Sequence, residues 1–309
     1  KDIHVFNPAY SAGDRTRSFL KVQDGCNYFC AFCTIPLARG RSRSGTIADV
    51  LKSAREIADK GVKEVVLTGV NIGDFETENG EDFLSLIQAL DKVEGIERFR
   101  ISSIEPNLLS EDIIDFVGDS QKFVPHFHIP LQSGSNKILE AMRRRYKREL
   151  YAERVHKIKS VMPGCCIGVD VIVGFPGETE EDFRETYQFI QELPVSYLHV
   201  FTYSERPNTT ALRLKDRVPN ALRSDRNAML TSLSEKKRRL FYEENLGKEH
   251  PVLWEQQKHG DWIQGFTGNY IKVKAPYDAA KVNTIEGLFL QEIGTDGAVE
   301  GKVVELLNY

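Results

Sequence analysis

Apolar and polar positions follow two different rhythms along this chain. Up to about residue 203, short apolar runs of strand length recur between longer segments whose apolar residues return every three or four positions, the spacing of a helix with one buried face. Residues 18–23, 64–69, 99–103, 126–131, 167–174 and 197–203 read as strands. Residues 46–60, 81–90, 110–117 and 180–193 read as helices, as does a stretch that starts at Ser135, resumes after Tyr146 and runs to Val161. Ser110 is a natural N-cap and Gly61 a natural stop. Six strand-helix alternations predict an α/β fold, with a parallel sheet and helices outside, either a partial (β/α) barrel or an open wound sheet. In such folds chemistry gathers at the carboxyl ends of the strands.

The rhythm then changes. Residues 222–246 are polar, charged and free of Pro and Gly, which predicts a long exposed helix bridging to a second unit. Beyond Gly247 the segments 252–255, 262–265, 270–273 and 301–306 read as short strands with Gly-rich turns, the mark of a small all-β antiparallel barrel. The expected organisation is a linker at 1–16, an α/β unit at 17–221, a bridging helix at 222–247 and the β-barrel at 248–309.

Composition narrows the partners. A formal charge of −4 leaves nucleic-acid binding to local patches, and no apolar run approaches a membrane span. Five cysteines fit poorly with a disulfide framework and suit a reducing, cytoplasmic setting. Cys165 and Cys166 head an apolar run and read as packing residues. Lys1 stands where a methionine would open a complete chain and no secretory signal follows it, so the sequence is expected to begin partway through a longer protein.

The remaining cysteines carry the chemistry. Cys26, Cys30 and Cys33 are spaced CxxxCxxC immediately after the first predicted strand. A structural zinc site wants four ligands, whereas a cubane iron-sulfur cluster on three thiolates leaves one iron open. Polar or glycine-rich groups follow the later strands as well: Gly69 and Asn71, Ser103 and Glu105, Gln132, Gly174, and Tyr203. Together they describe one shared ligand site, with donors and acceptors suited to ribose, amino and carboxylate groups.

These residues carry a family resemblance. CxxxCxxC with Phe32 before its third cysteine resembles the radical S-adenosylmethionine superfamily, whose partial barrel the strand-helix repeats match. Gly25-Cys26-Asn27, Phe32-Cys33-Thr34-Ile35-Pro36, Arg39-Gly40, the run Asp170-Val171-Ile172-Val173-Gly174-Phe175-Pro176-Gly177-Glu178-Thr179 and the terminal barrel resemble the methylthiotransferases within it. The likeness runs from about Arg17 to the C-terminus. It implies that Cys26, Cys30 and Cys33 hold a [4Fe-4S] cluster whose free iron binds S-adenosylmethionine, with Gly69, Asn71, Ser103, Glu105, Gln132, Asp170, Gly174 and Tyr203 around the cofactor. No side chain is assigned to catalysis beyond that cluster and cofactor. Electron transfer from a partner such as a flavodoxin or ferredoxin would then yield a deoxyadenosyl radical.

Ser42 stands where the isopentenyladenosine-type enzymes tend to carry glutamate. Ser102-Ser103-Ile104-Glu105-Pro106 and the segment from His128 to Ser135 look like the enzymes acting on threonylcarbamoyladenosine next to the tRNA anticodon. The implied reaction is methylthiolation of adenine C2, with isopentenyladenosine or a ribosomal protein as alternative substrates. Asn208 departs from the glycine common there. In that family a preceding domain supplies three more cysteines for a second cluster, so this chain is expected to split the cofactor without completing methylthiolation.

The terminal barrel resembles the TRAM domain, which implies a grip on the anticodon stem-loop. It carries six lysines and no arginine against nine acidic residues, so a local patch at Lys272 and Lys274 is expected to serve, with Trp254, Trp262, Phe266 and Tyr270 as candidate stacking platforms. Arg39, Arg41, Arg43, Arg144 and Arg145 are the other expected RNA contacts. The competing reading is a non-enzymatic RNA-binding protein whose three cysteines and a histidine hold a structural metal.

Overall fold

The computed structural model describes residues 5–11 and 16–304. Of the expected linker, residues 1–4 and 12–15 lie outside the described residues, as do 305 and 306 of the last expected strand.

The first unit opens with β1 (Ala9–Tyr10), β2 (Ser18–Lys21), β3 (Gln23–Asp24), α1 (Ile35–Arg39), β4 (Arg43–Ser44) and α2 (Ile47–Ala58). It continues through β5 (Glu64–Thr68), α3 (Phe83–Leu90), β6 (Arg98–Ile101), α4 (Glu111–Asp119) and β7 (His126–His128). It closes with α5 (Asn136–Ala141), α6 (Arg148–Val161), β8 (Cys166–Val173), α7 (Glu180–Glu192), β9 (Tyr197–Thr202) and α8 (Asn220–Glu243). Strands β2, β5 and β6 pair in parallel, as do β7, β8 and β9. Between β6 and β7 the ladder thins to single parallel bridges, Phe99 to Phe123 and Ser103 to His128. Six parallel strands therefore follow one another in sequence order, the singly wound arrangement that right-handed crossovers produce.

Strand residues Leu20, Leu67, Phe99, Phe127, Val169 and Val171 meet helix residues such as Ala54, Leu86, Ile113, Val155 and Phe183 in one core. The helices begin where their caps put them. Thr46 accepts the Asp49 N–H, Ser110 accepts the Ile113 N–H, and Thr179 with Asp182 forms a reciprocal capping box. The Asp82 carboxylate caps α3 through the Ser85 N–H, so that helix starts later than expected.

Helix α8 departs from the expected exposed bridge. It packs along β9, with Leu230 and Leu233 in the main core and the Ser234 hydroxyl bonded to both backbone groups of Leu198. Two of its buried residues are arginines, Arg223 and Arg226, paired with Glu205 and Glu178, which is why its sequence reads as polar throughout. Among the described residues no helix is long and apolar enough to cross a membrane.

The second unit contains β10 (Glu249–His259), β11 (Trp262–Thr267), β12 (Lys272–Pro276), β13 (Ile285–Ile293) and β14 (Val299–Val304). They close into a barrel in the order β10-β11-β12-β14-β13. Two points correct the expectation: β13 adds a strand, and β12 meets β14 in parallel, so the barrel is mixed. Cys166 packs with the barrel core and Cys165 with the main one, in line with their reading as packing residues.

The barrel docks beneath the amino ends of the parallel strands. There the buried Glu64 carboxylate accepts Arg100 Nε at 2.8 Å, with Arg98 and Arg17 close by. Arg98 and Arg100 reach on to barrel carbonyls, Pro251 at 2.7 Å and Gly268 at 3.0 Å, and Arg17 pairs with Glu255 at 2.8 Å. Burial pushes the Glu64 carboxyl up, but the Arg100 guanidinium, helped by Arg98 and Arg17, outweighs it and leaves the group below the usual carboxylate range.

Candidate metal and cofactor site

At the opposite end of the same strands, the cysteine loop is an excursion between β3 and β4, which pair antiparallel at its base. Gly25 opens it at φ +71, where a Cβ would lie 2.0 Å from the Arg41 carbonyl oxygen, so no side chain fits. Gln23 ties the loop to the end of β5. Its Oε1 accepts the N–H groups of Val70 and Asn71 at 3.0 and 2.9 Å, and its Nε2 donates to Gly25 O and Ser42 Oγ at 2.8 and 2.9 Å. Gly69 is needed beside this clasp, since a Cβ there would sit 2.9 Å from Gln23 Oε1. Asp24 gathers Arg39 and Arg43, each at 3.1 Å.

Each of the three cysteine sulfurs receives an N–H donor. Tyr28 N–H reaches Cys26 Sγ at 3.3 Å, Arg144 Nη1 reaches Cys30 Sγ at 3.1 Å, and Ile35 N–H reaches Cys33 Sγ at 3.4 Å. Such donors stabilise thiolate charge and tune metal centres. Burial pushes the Cys26 thiol up to about 11 and raises Cys30 as well, so a metal binding here displaces protons. Cys26 and Cys30 are buried, while Cys33 is half-buried at the wall of a cavity of about 310 Å³. Phe32, Ile172, Phe201, Tyr203 and Arg206 also line that cavity. Among the described residues no three His, Cys, Asp or Glu side chains converge on a single-ion site.

The strand-end residues fall into groups. Asn71 is buried with both side-chain amide atoms unpaired, and the buried Tyr203 hydroxyl is unpaired too. Glu105 is ion-paired with Arg144, which is thereby withdrawn from the surface where an RNA contact was expected. Ser103 Oγ lies 2.6 Å from His128 Nδ1, and His128 Nε2 lies 3.0 Å from Asp170 Oδ1, a chain from the ends of β6 and β7 to the middle of β8. Gln132 holds φ 67, a strained value for a residue with a side chain. Gly174 N–H donates to Glu178 Oε1 at 3.0 Å, and a Cβ there would strike Arg223.

Among the other expected RNA contacts, Arg41 is exposed, and Arg145 is exposed with its guanidinium 4.0 Å over the Tyr28 ring. Arg39 is exposed although tied to Asp24, and Arg43 is pinned by Asp24 and the carbonyls of Val5, Arg39 and Arg41. Lys272 and Lys274 lie on β12 in the barrel beneath the far end of the sheet, and Lys274 is held by Asp296 and Glu300. Trp254 is fully buried, and Phe266 and Tyr270 stack under Arg17 in the docking interface, which leaves Trp262 exposed. Gln23 and His128 were not anticipated as site residues. A glutamine at the buried end of a strand and a histidine at a strand end were the available signals.

Residues 20–190 match the family model of the radical SAM superfamily. The chain is 45% identical to the threonylcarbamoyladenosine tRNA methylthiotransferase MtaB of Aquifex aeolicus over 84% of its own length and 62% of that protein. It is 35% identical to the protein of the same name from Chlamydia pneumoniae, over 96% of this chain and 70% of that one. The fold resembles that of Escherichia coli coproporphyrinogen III oxidase (HemN), described as a radical SAM enzyme, with a TM-score of 0.54 at 16% identity over 81% of this chain and 66% of that one. The chain belongs to the radical SAM superfamily, and within it to the methylthiotransferase family. It spans about three fifths of the length of the Aquifex relative.

Proposed function

We propose that this chain carries the S-adenosylmethionine-cleaving site of an enzyme that methylthiolates adenine C2 of threonylcarbamoyladenosine beside the tRNA anticodon. The observation that carries the reading is the set of three thiols, each with its own N–H donor, at the strand ends where Asn71 and Tyr203 hold unpaired polar atoms. These residues fit a cluster and its cofactor. Cys26, Cys30 and Cys33 would hold a [4Fe-4S] cluster, and Asn71 offers a donor and an acceptor to the amino and carboxylate groups of the cofactor. Phe32 and Tyr203 give aromatic walls for its adenine. When bound, the cluster supplies the electron that splits the cofactor's carbon-sulfur bond.

Gln132 and the Ser103–His128–Asp170 chain would orient cofactor or substrate. The exposed Arg41 and Arg145, with Arg39, would meet RNA phosphate. The six strands form the partial barrel of this reading, and the terminal barrel its TRAM-like module. An electron donor of the flavodoxin or ferredoxin kind completes the system in the cytoplasm.

Of the five cysteines, Cys165 and Cys166 are buried in cores and are in no position to ligate a second cluster. The 309-residue chain is therefore expected to bind one cluster and release deoxyadenosine without forming methylthio product. Anaerobic reconstitution should give about four irons per chain with sulfur-to-iron charge-transfer absorbance. Stoichiometric zinc would favour the RNA-binding reading instead. Substrate is tested by mass spectrometry of tRNA nucleosides from cells with and without the gene. Loss of the methylthio group from threonylcarbamoyladenosine is expected, and loss only from isopentenyladenosine overturns the assignment.

A further inference from the structure

Arg144 stands between two exposed arginines, Arg143 and Arg145, yet its own side chain is 3% exposed. Each guanidinium nitrogen has a partner. Nη1 donates to Cys30 Sγ at 3.1 Å, Nη2 to a Glu105 carboxylate oxygen, and Nε to the Tyr146 hydroxyl at 3.2 Å. That hydroxyl lies 2.8 Å from both the Pro130 and Leu131 carbonyl oxygens, which fixes the ring that carries the guanidinium. A buried guanidinium is tolerated only when its charge and donors are matched, and here one of the matched partners is a sulfur of the cysteine loop.

We propose that Arg144 is a positioning residue that sets the reduction potential of the cluster held by Cys26, Cys30 and Cys33. The inference rests on the cluster reading of those cysteines. Adding one electron to a cluster puts negative charge on its sulfurs, and a fixed donor with a positive charge at Cys30 favours that reduced state. Glu105 works the other way, because its carboxylate lies against the same guanidinium and offsets its field. Removing one member or the other therefore shifts the potential in opposite directions. A residue that only filled space, or one that served RNA phosphate, would shift it in neither.

The test is a redox titration of the reconstituted chain with dithionite, followed by electron paramagnetic resonance without added cofactor, for wild type, Arg144→Gln, Arg144→Lys and Glu105→Gln. Arg144→Gln is expected to lower the ratio of reduced to oxidised cluster at least tenfold at the wild-type midpoint, which is ~59 mV for a one-electron couple. Arg144→Lys recovers part of the shift, since it keeps the charge and loses the fork. Glu105→Gln moves the midpoint to more positive values. Wild-type iron content with an unshifted midpoint in Arg144→Gln overturns the inference and leaves the cluster reading intact. If Arg144→Gln retains no iron, the other two variants decide, and equal midpoints for them overturn it. A wild-type chain that assembles no four-iron cluster overturns the reading on which the inference rests.

Discussion

The two ends of the six parallel strands are built on opposite terms. At the amino ends Glu64, Arg17, Arg98 and Arg100 are matched to one another and to barrel carbonyls, and the interface is sealed by Phe266 and Tyr270. Even there, among the described residues, His126 Nδ1 and Asn283 Oδ1 are buried without a partner. At the carboxyl ends both amide atoms of Asn71, the Tyr203 hydroxyl and single atoms of Asp74 and Asn107 are buried without partners, and Gln132 holds a left-handed backbone. Unpaired buried polar groups and strain lower stability, so a protein keeps them where a ligand completes them. The difference teaches that a charged network is matched across the docked end, whereas neutral polar groups are left unmatched at the end that carries the cysteine loop.

The comparison breaks most sharply at the cysteines. Cys30→Ala is expected to drop bound iron and deoxyadenosine formation to background while the chain stays folded. Cys165→Ala, which removes a more deeply buried thiol from the core, should keep both and cost about 1 kcal/mol of stability. Iron analysis and circular dichroism read the two outcomes, and equal iron loss in both variants would dissolve the distinction. Next in size is Glu64→Ala. It leaves Arg98 and Arg100 buried without their carboxylate, and urea unfolding should show a loss of about 3–5 kcal/mol with iron content per folded chain unchanged. A loss under about 1 kcal/mol would mean that the amino end is not held by this network.

Much of this was legible in the sequence, and the illegible parts share a cause. Strands and helices of the α/β unit followed from periodicity, because each buries one face against its neighbours. The cysteine loop followed from spacing, and Asn71 from its place after β5. The docking of the barrel did not, because Arg98 and Arg100 meet barrel carbonyls 153 and 168 residues away and neither signals a partner locally. Arg144 read as a phosphate contact because a run of arginines says nothing about which one turns inward. Strand β13 was missed where Glu286 and Gly287 interrupt its apolar residues, and the burial of α8, though not the helix itself, because its buried side includes two paired arginines.

A pH titration tests an unmatched group of the amino end. Burial, then the charges of Arg100, His128, Arg17 and His199, hold the His126 imidazole well below its usual value, and its neighbours are the Tyr197 hydroxyl and the Tyr270 ring. The unfolded chain takes up a proton at about pH 6.5 while the folded chain does not, so this contribution is complete above that pH and is lost as pH falls below it. The slope reaches about 1.4 kcal/mol per pH unit for the single proton. His199 and His250 are lowered in the same direction and add to the total, so the measurement is the difference between wild type and His126→Gln. Unfolding free energies between pH 7 and 5 should fall less steeply in the variant, and identical slopes would show that His126 titrates normally.

The smallest expected change in stability comes from the carboxyl end, at Asn71. The residue is 3% exposed with neither amide atom bonded, an arrangement that costs about 1–3 kcal/mol in the ligand-free protein. Asn71→Ala removes that cost and leaves a small void, so the two effects oppose and the net change should lie within about 1 kcal/mol of zero. The backbone N–H of residue 71 keeps its bond to Gln23 Oε1, so the clasp on the cysteine loop survives. Binding of S-adenosylmethionine to the reconstituted chain should nevertheless weaken by about tenfold, the loss of one or two polar contacts. Calorimetry of cofactor binding beside urea unfolding separates the two readouts. A variant destabilised by more than about 2 kcal/mol with unchanged cofactor affinity would place Asn71 among the structural groups and remove the main contrast between the two ends of the sheet.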